Sequence, residues 1–151
     1  CGSGLPFDQH LIGKGATLTG VDISEKHVAL AKENVPRGTF VQGDFFSHDE
    51  PGRYDGVMSL YAAFHIPREE HAELLKHVYR QLKDDGVILI TLGTEPMEQD
   101  VNPDFAGAPM AWSSYTVAEN KELVRKAGFD VLMVAEDYRT EKHLWVLARK
   151  E

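Results

Sequence analysis

Cys1-Gly2-Ser3-Gly4-Leu5-Pro6 and, further on, Thr17-Leu18-Thr19-Gly20-Val21-Asp22-Ile23-Ser24 decide how this chain reads. The second stretch has the pattern of a short buried strand ending in a carboxylate, with Ser24 placed to cap a helix that begins near Glu25. Asp22 therefore falls at the carboxyl end of a strand, the edge where open α/β sheets bind ligands. An acid about 20 residues after a glycine-rich turn is placed to accept hydrogen bonds from ribose hydroxyls. A full G-x-G-x-x-G fingerprint would need a third glycine where Phe7 stands. Gly2 and Gly4 alone fit an ordinary strand-to-helix turn as well, and Asp22 tips the reading toward a nucleoside-holding corner.

Outward from that corner, helices and strands alternate. A short helix is expected over Pro6–Ile12, closed by Gly13 and Gly15, and a second over Glu25–Asn34, ended by Pro36 and Gly38. Thr39–Gln42 reads as a strand that delivers Gly43-Asp44-Phe45-Phe46, and Tyr54–Leu60 as another that runs into Tyr61-Ala62-Ala63-Phe64-His65. Leu74, Leu75, Val78, Tyr79 and Leu82 recur at helical spacing between about Arg68 and Lys83, and Asp84-Asp85-Gly86 precedes the apolar strand Val87–Leu92. Such alternation implies crossover units and a parallel sheet. Gly93 to Tyr115 has three prolines, two glycines and little periodicity. It reads as a long loop, of the kind that forms lids or binding segments. Thr116–Ala127 is a capped helix stopped by Gly128, and Phe129–Tyr138 with His143–Arg149 forms an antiparallel hairpin.

Length and composition bound the possibilities. With 151 residues and 42% hydrophobic content, one core is expected and no shift marks a second domain. A net charge of −8 argues against a nucleic-acid footprint. One cysteine cannot form an internal disulfide, no secretory signal is visible, and no apolar run approaches the ~18 residues of a membrane span. The expected compartment is cytoplasmic, with no membrane partner. Because the glycine turn begins at Cys1 with no strand ahead of it, the reading is of a single domain over 1–151, N-terminally incomplete, its first strand largely missing.

The ordered set Cys-Gly-Ser-Gly-Leu-Pro, Val-Asp-Ile-Ser, Gly-Asp-Phe, a Tyr-Asp strand and Leu-Lys-Asp-Asp-Gly before an apolar strand, with the terminal hairpin, resembles the class I S-adenosylmethionine-dependent methyltransferases. The resemblance implies an α/β, Rossmann-like, mostly parallel seven-stranded sheet of order 3-2-1-4-5-7-6 with a terminal antiparallel hairpin. It implies S-adenosyl-L-methionine as cofactor and methyl transfer to a small-molecule acceptor. Gly2, Ser3 and Gly4 would let the backbone approach the methionine part, and Asp22 would take the ribose hydroxyls. Gly43 and Asp44 would meet the adenine amine, Ile23 and Phe45 would flank the ring, and Leu60 would complete the cofactor side. The chain departs from the family in lacking the first strand and the acid that usually precedes the glycines.

Chemistry agrees with these assignments while leaving alternatives open. A neutral purine needs an apolar slot with one acceptor, and a cis-diol suits a carboxylate. Asp44 could equally cap a turn, and Ile23 and Phe45 could be plain core. Methyl transfer mainly requires positioning. Where the acceptor must lose a proton, His65 is the candidate base, with Tyr61 lining the same cavity, although His65 could also cap or pack beneath the loop. In the loop, Trp112 and Tyr115 are the expected substrate wall, while Phe105 and Met110 are read as packing. Tyr79 and Lys83 match the Tyr-x-x-x-Lys spacing of short-chain reductases by chance, with Tyr79 on an apolar helix face. His71 and His77 lack metal-ligand spacing, so no metal site is assigned, and the seven histidines are read as mostly surface residues. Two other functions share the same features: an NAD(P)-dependent oxidoreductase of Rossmann type and a non-catalytic S-adenosylmethionine-binding domain.

Overall fold

The structure, a computed structural model, describes residues 1–105, 107–138 and 142–151. The chain forms two compact units, Cys1–Asp49 and Glu50–Glu151.

In the first unit, α1 (Phe7–Gly13), β1 (Thr19–Asp22), α2 (Glu25–Asn34) and β2 (Thr39–Gln42) follow in order, and a 3-10 turn covers Phe45–Ser47. Ser24 starts α2 as its sequence position requires: extended at φ −82 and ψ 113, it accepts the His27 N–H on its hydroxyl. Val28, Ala31 and Val35 lie three and four residues apart, so they share one helix face and are buried with Ile12 and Phe40. Each such large apolar side chain contributes roughly 1.5–3 kcal/mol on burial. β1 and β2 pair in parallel, with Val21 opposite Val41 and Asp22 opposite Gln42, and α2 is the crossover that a parallel pair needs.

The second unit contains β3 (Tyr54–Ser59), α3 (His71–Gln81), β4 (Leu82–Gly93), β5 (Met97–Phe105), β6 (Ala108–Ser114), α4 (Val117–Lys126), β7 (Phe129–Asp137) and β8 (His143–Lys150). Its four-stranded sheet runs β3-β4-β8-β7. β3 and β4 are parallel, and β8 is antiparallel to both β4 and β7, so the sheet is mixed and ends in the expected hairpin. The residues 139–141 between β7 and β8 lie outside the described set. α4 carries a complete capping box in which Thr116 and Glu119 satisfy each other's backbone N–H groups. Ile88, Ile90 and Leu92 on β4, and Leu144, Val146 and Ala148 on β8, are buried at the two-residue period of a strand. His143 and Trp145 alternate with them and so share the other face of β8.

Three expectations are corrected. β4 begins at Leu82, and Asp84-Asp85-Gly86 lies within it as an irregularity in the pairing with β3, Asp85 taking φ +61. Gly93–Tyr115 is not a loop: β5 and β6 pair as an antiparallel ribbon. The side chains of Asn102 and Asp104 accept the N–H groups of Asp104 and Gly107 to turn it. Finally, His71 and His77 are buried, because α3 turns them inward with Leu74, Leu75, Val78 and Gln81.

Candidate functional site

In the first unit, Asp22 organises the glycine turn. Its Oδ2 accepts the Gly2 N–H at 2.8 Å and its Oδ1 accepts the Ser24 N–H at 2.9 Å. The Cys1 nitrogen donates to the Val21 carbonyl at 3.0 Å, which ties the turn to β1. Burial by itself raises the Asp22 pKa, but the N–H groups of Ser24 and Gly2, with His27 nearby, lower it and hold the carboxyl below its ordinary 3.8. Each oxygen also has a longer second contact, Oδ2 with the Cys1 nitrogen at 3.4 Å and Oδ1 with His27 Nδ1 at 3.5 Å, so a further donor would share or displace these weaker partners.

The two glycines of the turn differ in role. Gly2, at φ +55, has nothing within 4 Å of where a Cβ would stand, so its surface is open to a ligand. Gly4, at φ +78, would place a Cβ 2.9 Å from Val35 Cγ2, so it is the packing glycine that seats the turn on α2. The Ser3 carbonyl accepts from Asn34 Nδ2 at 2.9 Å.

Ile23 is 76% exposed, which removes plain core packing as its explanation. Asp44 takes the turn role weighed from sequence: its Oδ1 accepts the Phe46 N–H at 2.8 Å and starts the 3-10 turn. Gly43 donates to the Asp22 carbonyl at 3.0 Å, which brings the β2 end to the β1 end. Phe45 is half-buried with its ring 6.5 Å from that of Phe46.

In the second unit, Leu60 is half-buried just past β3. Tyr61 follows in the left-handed region at φ +55, and its N–H donates to Thr91 Oγ1 at 2.5 Å. The Tyr61 ring stands edge-on to His143 at 5.0 Å and to Trp145 at 5.8 Å. Phe64 continues the series, 5.4 Å from His143 and 4.8 Å from His65. The His65 ring lies 5.8 Å from Trp112, which meets Phe105 edge-on at 5.1 Å. His65 Nδ1 is 2.8 Å from the Ala111 carbonyl. A carbonyl can only accept, so Nδ1 carries a hydrogen, and in the neutral ring Nε2 then carries the lone pair.

The second unit thus brings together Tyr61, His65 and Trp112. Tyr115 joins a different group: the Arg68 guanidinium stacks on it at 5.2 Å and His71 meets it at 6.0 Å. Phe64, His143 and Trp145 were missed from sequence. His143 and Trp145 lie about 80 residues downstream of Tyr61, and only the β4–β8 register, with Thr91 opposite Trp145, brings them near. Phe105, read as packing, contacts Trp112 and is 46% exposed. Tyr79 donates its hydroxyl to the Glu151 carbonyl at 2.7 Å, and Lys83 pairs with Asp55. Among the described residues, no group of three His, Cys, Asp or Glu side chains is placed to hold a metal ion, and no helix is long and apolar enough to cross a membrane.

The fold is that of Rossmann-like methyltransferases. The structure superposes on an S-adenosylmethionine-dependent methyltransferase of Methanosarcina mazei with a TM-score of 0.85 at 17% identity, covering 99% of this chain and 89% of that one. It superposes on Burkholderia thailandensis 1,6-didemethyltoxoflavin-N1-methyltransferase, solved with bound 1,6-didemethyltoxoflavin and S-adenosylhomocysteine, with a TM-score of 0.77 at 22% identity, covering 99% of this chain and 68% of that one. A methyltransferase-domain family model matches residues 1–86, and the chain belongs to the class I S-adenosylmethionine-dependent methyltransferase family. It is 33% identical over 91 residues, 60% of the chain, to an uncharacterized methyltransferase of Bacillus cytotoxicus and spans 42% of that relative's length.

Proposed function

We propose that this chain carries the catalytic domain of an enzyme that transfers a methyl group from S-adenosyl-L-methionine to a small-molecule acceptor. The observation that carries the reading is the corner at the end of β1: a carboxylate held ionised by the Gly2 and Ser24 N–H groups, the open face of Gly2, and the exposed side chain of Ile23. Those three features fit a ribose, a chain that needs close backbone approach, and an apolar ring. Asp22 would accept the ribose hydroxyls and Gly2 would face the methionine part, with Ser3 and Gly4 shaping the turn. Ile23 and Phe45 would flank the adenine, and Gly43 and Asp44 would meet its amine.

When bound, the sulfonium supplies an already activated methyl group, so the chain's own task is to orient the acceptor and, where needed, to remove a proton. His65 is suited to the second role, because the Ala111 carbonyl takes the Nδ1 hydrogen and the neutral ring then presents its lone pair at Nε2. Tyr61 and Trp112 would form the acceptor wall. The charge of −8 supports a small acceptor over a polyanion. The test is turnover of methyl-labelled S-adenosylmethionine with pooled small metabolites: label is expected in the small-molecule fraction. Label found only in nucleic acid, with a steep salt dependence, would overturn the acceptor class.

A further inference from the structure

The rings of the second unit are more specific than a generic apolar wall. Tyr61 is a bulky residue in the left-handed region, 44% exposed, and the N–H that fixes this conformation is held by Thr91, which is fully buried. Such backbone is uncommon for a large side chain and persists only where the surroundings over-determine it. Here it keeps the phenol ring edge-on, at 86° and 88°, to His143 and Trp145. Phe64 links that end to His65, whose ring faces Trp112. The polar groups of these rings are the Tyr61 hydroxyl, the indole N–H groups of Trp112 and Trp145, the His143 imidazole, and a His65 Nε2 that can only accept a hydrogen bond while neutral.

We infer, resting on the reading that this unit receives the methyl acceptor, that the acceptor is a planar aromatic or heteroaromatic molecule whose methylated atom is a phenolic oxygen or ring nitrogen bearing a proton. Edge-to-face and offset-stacked contacts favour a planar π system beyond the area it buries, and a rigid ring gives up little conformational freedom on binding. A saturated molecule of the same outline gains the area alone. In the transfer, the acceptor's proton passes to His65 Nε2 and its lone pair forms the bond to the methyl carbon. The carbon–sulfur bond breaks with its electron pair going to sulfur, giving S-adenosylhomocysteine, and the imidazolium releases its proton to solvent.

The experiment uses the intact protein saturated with S-adenosylhomocysteine and titrates matched probes by calorimetry: naphthol against decahydronaphthol, and benzimidazole against its octahydro form. The aromatic member of each pair is expected to bind about tenfold tighter or better, as two or three ring contacts imply. Trp145→Leu should erase most of that ratio while Trp145→Phe keeps it, and circular dichroism checks that both variants are folded. With S-adenosylmethionine and the aromatic probes, His65→Gln should lower kcat about a hundredfold and leave KM within about threefold. Equal affinity within both pairs, or binding of neither member, overturns the inference. Failure of S-adenosylhomocysteine itself to bind overturns instead the donor assignment on which it rests.

Discussion

Replacing Asp22 by Asn separates the carboxylate's two tasks, because the amide keeps the shape and loses one acceptor and the charge. In the native chain, Gly2 and Ser24 each donate an N–H to a different carboxylate oxygen, at 2.8 and 2.9 Å. The amide can serve one of them and must set its NH2 against the other, so one charge-assisted bond worth about 1.5–3 kcal/mol is lost. For a chain of this size the thermal midpoint should fall by about 4–10 °C. If Asp22 also receives the ribose hydroxyls, the same loss on the ligand side weakens S-adenosylhomocysteine by about 10- to 150-fold. The sign of the pH dependence follows from the lowered pKa: the contribution is fully present above the ordinary 3.8 and disappears as pH falls through the folded value, so the native chain and the variant should converge in stability on acidification. Calorimetric titration and thermal melts read both effects. A folded Asp22→Asn with unchanged affinity for S-adenosylhomocysteine would refute the ligand role, whatever happened to the melting temperature.

The glycines should divide in the same way. Gly4→Ala pushes a methyl to 2.9 Å from Val35 at φ +78 and should cost more stability than Gly2→Ala, for which only the left-handed backbone, about 1–2 kcal/mol, is at stake; differential scanning of both variants checks the order. Thr91→Val leaves the Tyr61 N–H without its acceptor and should cost about 1–3 kcal/mol in urea unfolding, with a raised acceptor KM that Thr91→Ser restores. Burial holds the His71 pKa below 6.5 despite the Ile66 and Ala63 carbonyls and Glu69 and Glu70, so its contribution to stability should be complete above pH 6.5 and decline as the pH falls below it; NMR titration of the His71 ring together with unfolding curves across that range would show a shift in the opposite direction if the assignment is wrong.

What was legible in the sequence was local. Ser24 before Glu25, Thr116 before Glu119 and the apolar run Val87–Leu92 each declare an element through groups a few residues apart; the two helices start where expected, while the strand holding the apolar run begins earlier, at Leu82. The ribbon β5–β6 was not legible because every described residue of β5 is exposed, leaving no buried face to write a two-residue period into the sequence. The left-handed backbone of Tyr61 was not legible, since it depends on Thr91, 30 residues away. The partners His143 and Trp145 are visible only through the antiparallel register of β8. Tyr115, just past the end of β6, is brought to Arg68 and His71 and not to Trp112, a placement set by contacts distant in sequence.

The account stands most directly on a single comparison of ligands, the stabilisation of the intact protein by S-adenosylhomocysteine and by NAD under identical conditions. At 100 times its dissociation constant, S-adenosylhomocysteine should add about 2.7 kcal/mol to the unfolding free energy, and NAD at the same concentration should add nothing measurable. Equal stabilisation by NAD, or none by either nucleoside, would contradict the assignment of the Gly2, Asp22 and Ile23 corner to the methyl donor.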